Sequence, residues 1–338
     1  MTSRAIMTRR AFVGAAAAAG ALAGESRAPM GIAVTCYMSF ARPKDNLEFL
    51  ERAHALGAAG IQMPFTSRDP DYIRRLRGRA EQLGMYLEVI AGLPAPNDTS
   101  AFENTVAAAK DAGALAVRVN CLPGRRYENF TNLTDWRQAV AHARLKIDAA
   151  LRIVEKRQVP LAIENHKDFT AEEMVKLMQE KQSRWLGVCL DTGNNISLLD
   201  DPMALVEALA PYAFCTHVKD MAVAPYADGF LLSEMPLGAG MLDMRGIVDT
   251  IRRARPRTRL TLEMITRDPL KVPCLTESYW ATFPERNGSY LARTLRMVHR
   301  AEGRPPLPVV TGMAREVQLQ VEEDNVRTSL AYAREHLS

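Results

Sequence analysis

From residue 31 onward, short apolar runs rich in β-branched residues alternate with longer stretches whose apolar positions recur every three or four residues. GIAVTCY (31–37) reads as a strand, and NLEFLERAHALG (46–57) as an amphipathic helix closed by Gly57. GIQM (60–63) precedes a helix near 70–83 ended by Gly84, MYLEVIAG (85–92) one near 100–112 ended by Gly113, and ALAVRVN (114–120) a long one near 134–157. VPLAIEN (159–165) leads into a helix starting at Thr170, with Glu173 three places later, the capping-box spacing. WLGVCLD (185–191) and AFCTHVK (213–219) precede helices near 202–210 and 243–254, and TRLTLEM (258–264) is the eighth strand.

Eight strand–helix alternations in roughly 240 residues predict parallel strands joined by crossover helices, the content of a closed (β/α)8 barrel. A doubly wound open sheet is the alternative. It would carry a glycine-rich phosphate loop after its first strand, where this chain has Tyr-Met-Ser-Phe-Ala-Arg-Pro. Residues 287–301 read as the last barrel helix, 303–310 as a proline-rich connector, and 311–336 as a charged amphipathic helix that covers the barrel or mediates dimerisation. The expected organisation is a segment 1–28, a barrel over 29–302 and a C-terminal helical extension over 303–338.

Composition adds exclusions. At 47% hydrophobic and 24% charged, the 338-residue chain has the balance of a globular α/β protein. A net charge of +4 points to neither nucleic acid nor membrane surface as a partner. Some of that charge lies in the first 28 residues, where a basic start, an Ala/Gly-rich apolar run and small polar residues follow in the order of an export signal. Thr8-Arg9-Arg10-Ala11-Phe12-Val13 resembles the twin-arginine motif, which implies folding in the cytoplasm and export to the periplasm. Five cysteines without a CxxC pair form neither a disulfide framework nor a zinc cluster, and Cys36, Cys189 and Cys215 fall in apolar runs as buried thiols.

The working residues of such a barrel sit at the C-terminal ends of its strands. Strand five ends at Glu164, strand six at Asp191, strand seven at His217 and strand eight at Glu263. Each alone reads as a helix cap, a solvated carboxylate or a hydrogen-bonded histidine. Together, three carboxylates at one mouth repel one another unless a cation neutralises them, and carboxylates with one imidazole suit a single divalent ion such as Mn²⁺, Mg²⁺, Co²⁺ or Zn²⁺. The pieces AIENH (162–166), CLDTGN (189–194) with DDP (200–202), HVKD (217–220), PLGAG (236–240) with Asp243, and LTLE (260–263) resemble the xylose isomerase-like barrel superfamily over about residues 30–300. This is the sugar phosphate isomerase/epimerase group that also includes endonuclease IV. The resemblance implies that Glu164, Asp191, His217 and Glu263 hold one metal, Mn²⁺ first among the candidates, and that the two glutamates serve as acid and base. Two departures argue against a strict ketohexose 3-epimerase: Asn194 stands where those enzymes carry a second histidine, and Val223 where they carry an arginine. Six histidines are too few for a trinuclear zinc nuclease.

The chemistry expected of such a site is proton abstraction beside a carbonyl through an enediolate, giving isomerisation or epimerisation. A leaving group β to the carbonyl turns the same intermediate toward elimination, as from a 3-keto-glycoside. A sugar-binding barrel without catalysis is the alternative of another class. The substrate expected is a small sugar or keto-sugar, and the barrel is a candidate homo-oligomer. His166 is a further base candidate, Lys219 an oxyanion donor or a partner of Asp220, and Arg118, Asn120 and Gln62 candidates for substrate oxygens. Tyr37 is a pocket candidate, and Tyr279, Trp280 and Phe283 are candidates for an apolar wall.

Overall fold

The computed structural model describes residues 28–338; the export-signal reading lies, but for Ala28, outside them. In chain order the strands are β1 (Met30–Ala33), β2 (Gly60–Met63), β3 (Tyr86–Ile90), β4 (Val117–Asn120), β5 (Leu161–Glu164), β6 (Leu186–Asp191), β7 (Ala213–His217), β8 (Asp220–Tyr226), β9 (Gly229–Met235), β10 (Leu260–Leu262) and β11 (Leu270–Val272). Eight of them form one parallel sheet in the order β10-β1-β2-β3-β4-β5-β6-β7. The ring closes through Val218, just past β7, whose N–H donates to Thr261 O at 2.8 Å and whose carbonyl accepts from Glu263 N at 3.1 Å. This is the expected (β/α)8 barrel.

The strand pleat sorts the side chains. Leu161, Ile163, Val188 and Leu190 face outward into the main core with the helices. Ala162, Cys189 and Cys215, at alternate positions, form a separate small-residue cluster with Ala116 inside the ring. Tyr86 fills the bottom of that interior. Its hydroxyl donates to Leu260 O at 2.6 Å, and a Cβ on Gly60 would lie 2.4 Å from its ring, so this position admits only glycine. All five cysteines are buried free thiols.

Helix boundaries follow the sequence signals closely. The helix Pro70–Leu83 is capped by Asp69 and ends at left-handed Gly84; the capping box at Thr170 and Glu173 forms in both directions. Three expectations are corrected. The first strand stops at Ala33, and Val34–Tyr37 winds into a 3₁₀ turn, because the chain must leave the ring there. Residues 220–235, to which the alternation of strands and helices gives no element, form the β8–β9 hairpin, which β11 joins as an antiparallel sheet beside the mouth. The helix Gly288–Arg300, read as the last of the barrel, packs Val298 against that sheet's core instead.

The C-terminal helix Arg315–His336 is where the eighth barrel helix belongs. Val326, Leu330, Ala333 and Leu337 enter the main core, Glu323 pairs with Arg52 of the helix Asn46–Ala55, and Leu337 O accepts from Arg252 of the helix Met244–Ala254. Glu322, fully buried, accepts the N–H groups of Ser39, Phe40 and Ala41, tying this helix to the loop after β1. Among the described residues no helix is long and apolar enough to cross a membrane.

Candidate metal centre

Strand register carries the four predicted residues to one level. Glu164 lies opposite Asn120 of β4 and Cys189 of β6, and Asp191 lies opposite His217. Glu263 follows β10 by one residue, held by the bond to Val218 that closes the ring. The side chain of Asn165 bonds both N and O of Asp191, locking the ends of β5 and β6 together. Donor atoms of Glu164, Asp191, His217 and Glu263 all lie within 4.8 Å of one another, and all four residues are buried.

The geometry around His217 gives the fit test for an ion. Its Nε2 donates to Gln62 Oε1 at 2.6 Å, and Gln62 in turn donates to Glu88. Nδ1 has no hydrogen-bond partner, yet faces Glu164 Oε1 at 3.4 Å, Asp191 Oδ2 at 3.7 Å and Glu263 Oε1 at 3.5 Å. Ligands about 2.0–2.2 Å from a divalent ion stand about 2.8–3.6 Å from neighbouring ligands, and the imidazole nitrogen, 3.4–3.7 Å from the three oxygens, is close to that spacing. Gln62 fixes the tautomer that presents Nδ1, the part a supporting residue plays at metal-bound imidazoles. Asp191 has its other oxygen taken by the N–H groups of Gly193 and Asn194 at 2.9 and 2.7 Å, which leaves Oδ2 for the centre.

Charge is balanced by buried cations. Lys219 Nζ pairs with Glu263, lies 3.0 Å from Asp191 Oδ2 and 3.6 Å from Glu234 Oε1; Arg118 pairs with Glu164. Burial opposes charge on Lys219, but these carboxylates raise its pKa above the ordinary value, and it stays an ammonium. Burial likewise disfavours a charged His217, yet Cys189, Glu263 and Asp191 push its pKa up to about 10. Glu263 and Asp191 are held below the usual carboxylate range against burial, by His217 and Lys219 above all. Burial lifts Glu88 to about 7 despite hydrogen bonds from Gln62 and Thr261.

The other candidates divide. Lys219 and Arg118 meet the cluster as ion-pair partners, and Gln62 meets it through His217. Asn120 borders Glu164, with its Oδ1 buried and without a hydrogen-bond partner. His166 stands past the strand with Nδ1 likewise unpartnered, and burial, then Lys167, keeps its imidazole neutral. Asp220 does not pair with Lys219: its carboxylate accepts N–H groups of Gly238, Gly240 and Leu242 and so folds the PLGAG loop. Tyr37 points to the C-terminal helix, its hydroxyl on Glu323 and its ring under the Arg52 guanidinium. Tyr279 stacks on Phe283 and donates to Ser197 O, placing this aromatic segment in the apolar core beside the mouth.

Sequence reasoning missed Glu234, Lys167 and the positive role of Asn194. Asn194 Nδ2 donates to Glu164 Oε1 at 3.0 Å, while its Oδ1 receives Lys167 and Lys219. Glu234 lies on the unforeseen hairpin, but Lys167 follows the motif AIENH directly and was legible there. A cavity of about 610 Å³ lies on the outer flank among Arg126, Trp136, Glu173 and Tyr290, and none of the four cluster residues lines it. Donor chemistry rather than volume therefore locates the centre.

The sequence model described as xylose isomerase-like TIM barrel matches residues 50–282. The chain is 27% identical over 237 residues to 3-oxo-isoapionate decarboxylase of Pectobacterium atrosepticum, spanning 66% of this chain and 81% of that protein. Among solved structures it resembles a xylose isomerase domain protein from Planctomyces limnophilus (TM-score 0.55, 16% identity, 81% of this chain and 96% of that one). It also resembles an L-ribulose 3-epimerase (TM-score 0.54, 17% identity, 92% and 96%). At those identities the solved structures speak for the fold.

Proposed function

Because the chain belongs to the xylose isomerase-like TIM barrel family, we propose that it is a divalent-metal-dependent sugar isomerase or epimerase, with Mn²⁺ the favoured ion. The observation that carries this reading is the buried set Glu164, Asp191, His217 and Glu263, with Nδ1 of His217 facing three carboxylate oxygens and hydrogen-bonded to none. A divalent ion held there would polarise a substrate carbonyl and stabilise the enediolate. Glu164, at the end of β5, and Glu263, one residue past β10, move the proton off and onto the carbon beside that carbonyl. Arg118 and Lys219 hold them in place, and the Lys219 ammonium also faces developing oxyanion charge. His166, just past β5 and kept neutral by burial, has an unpartnered Nδ1 and is a further candidate to hydrogen-bond the substrate. The substrate is a small sugar or keto-sugar, and the twin-arginine-type motif over residues 8–13 supports work in the periplasm.

A second reading is favoured by the curated relative, whose name is that of a 3-oxo acid decarboxylase. Here the bond to a carboxylate β to the ketone breaks, its electron pair passes to the carbonyl as an enolate, carbon dioxide leaves, and a proton is added at carbon. Incubation with Mn²⁺ and a panel of keto-sugars and keto-acids in D₂O separates the two. The proposal expects an epimer or isomer carrying deuterium beside the carbonyl, lost in Glu263→Gln. Carbon dioxide release without exchange in recovered substrate would establish the second reading. Metal-independent turnover would overturn both.

A further inference from the structure

Four lysine and arginine residues are buried around the core of the molecule: Arg118, Arg126, Lys167 and Lys219. Three have carboxylate partners: Arg118 has Glu164, Arg126 has Glu173, and Lys219 has Asp191, Glu234 and Glu263. Lys167, 4% exposed, pairs with no carboxylate among the described residues. Its ammonium rests on Asn194 Oδ1, and Lys219 Nζ approaches that same oxygen at 3.4 Å. A buried cation without a counter-ion is costly, and two ammonium groups on one neutral oxygen more so. The backbone adds to the cost: Lys167 has φ +55°, the left-handed region that side-chain-bearing residues seldom adopt, at about 1 kcal/mol or more. Burial, then Lys219 and Arg267, lower the Lys167 pKa to about 7.

We propose that Lys167, with Lys219 beside it, forms an anion subsite next to the metal centre that takes a carboxylate of the substrate, so that the enzyme prefers a keto sugar acid to a neutral ketose. This rests on the metal-dependent reading above and names its substrate class. Asn194 joins the two parts, since one end of its amide holds Glu164 and the other carries both ammonium groups. With a divalent ion among the three carboxylates, Arg118 and Lys219 tip the local balance positive, and Glu234 is already committed to Arg267 at 2.8 Å. An incoming carboxylate then supplies the charge that Lys167 lacks. A dianionic phosphate asks for more donors than one unpaired ammonium provides.

The test is calorimetric binding to the full-chain, Mn²⁺-loaded protein of D-fructose, of 2-keto-D-gluconate and D-fructuronate (the same skeleton with one terminal carbon oxidised to a carboxylate), and of D-fructose 6-phosphate. One of the two acids is expected to bind at least about tenfold tighter than fructose, the effect of one charge-assisted contact. Lys167→Met is expected to bring that acid to the level of fructose in a protein that still binds Mn²⁺, and Lys167→Arg to keep the preference. Lys167→Gln makes the same comparison if the Met variant does not fold. Equal binding of acids and fructose, a preference that survives Lys167→Met, or a stronger preference for the phosphate would overturn the subsite. A Lys167-dependent acid preference in a protein that binds no Mn²⁺ would leave the subsite standing and remove the metal reading instead.

Discussion

At the scale of single residues, the centre is organised by groups that touch no reacting atom. Gln62 accepts the Nε2 proton of His217, which fixes Nδ1 as the atom facing the carboxylates. Gln62→Leu removes that constraint and takes one of the two side-chain donors from Glu88, leaving Thr261, so Mn²⁺ affinity should fall about 10- to 100-fold, read by titration calorimetry. An unchanged affinity would mean that His217 is positioned by packing alone. Lys167 makes a stability prediction with a definite sign. Its folded pKa of about 7 lies below the ordinary lysine value, so between pH 7 and about 10 the unfolded chain binds the extra proton. Stability from this group therefore rises with pH across that window, by up to about 1.4 kcal/mol per unit, and its cost is full below pH 7. Lys167→Met should accordingly be more stable than the parent at pH 6.5, and urea titrations should show the gap narrowing toward pH 10. A gap constant with pH would contradict an ammonium buried without a partner.

At the scale of elements, helices and barrel strands were legible because their signals are local. Asp69-Pro70 opens a helix and Gly84 closes it, Thr170 and Glu173 cap another, and the alternation in LAIE and VCLD tells which side chains enter the ring. The four cluster residues followed from barrel topology, since Glu164, Asp191 and His217 end their strands and Glu263 follows its strand directly. What was not legible depended on partners distant in sequence. Val34–Tyr37 has the composition of a strand but no neighbour to pair with beyond Ala33, and Glu322 is an ordinary helical glutamate until the loop after β1 folds onto it. Two amphipathic helices follow β10, and periodicity alone does not say which one completes the ring. Leu330 decides it by energetics: it is 1% exposed in the main core, so Leu330→Ala should cost about 2–5 kcal/mol in urea unfolding. The same change at Leu291, which borders the smaller core beside the hairpin, should cost less. Equal costs would mean that the C-terminal helix is not part of the barrel's cooperative unit.

At the scale of the whole molecule, metal binding, protonation and folding are one linked equilibrium. The closed ring holds Glu164, Asp191 and Glu263 around an imidazole whose pKa of about 10 keeps it protonated at neutral pH. That proton and the Lys219 ammonium are what make the carboxylate cluster tolerable before an ion arrives. A divalent ion needs the bare Nδ1, so it must displace the proton, and its apparent affinity falls about tenfold for each pH unit below 10. The native state alone presents the four donors together, so Mn²⁺ at 100 times its Kd stabilises the fold by about 2.7 kcal/mol. In a chain of this size that raises Tm by roughly 4 °C. Melting curves in EDTA and in a fixed Mn²⁺ concentration, taken at pH 6, 7 and 8, should therefore separate progressively as pH rises. Each unit should add up to about 1.4 kcal/mol to the metal's effect. Asp191→Asn removes one ligand and part of the field that keeps His217 charged, so its curves in EDTA and Mn²⁺ should coincide at all three pH values. Were the parent's metal-dependent shift independent of pH, His217 would enter the site already neutral, and the balance of its carboxylates by a proton would be excluded.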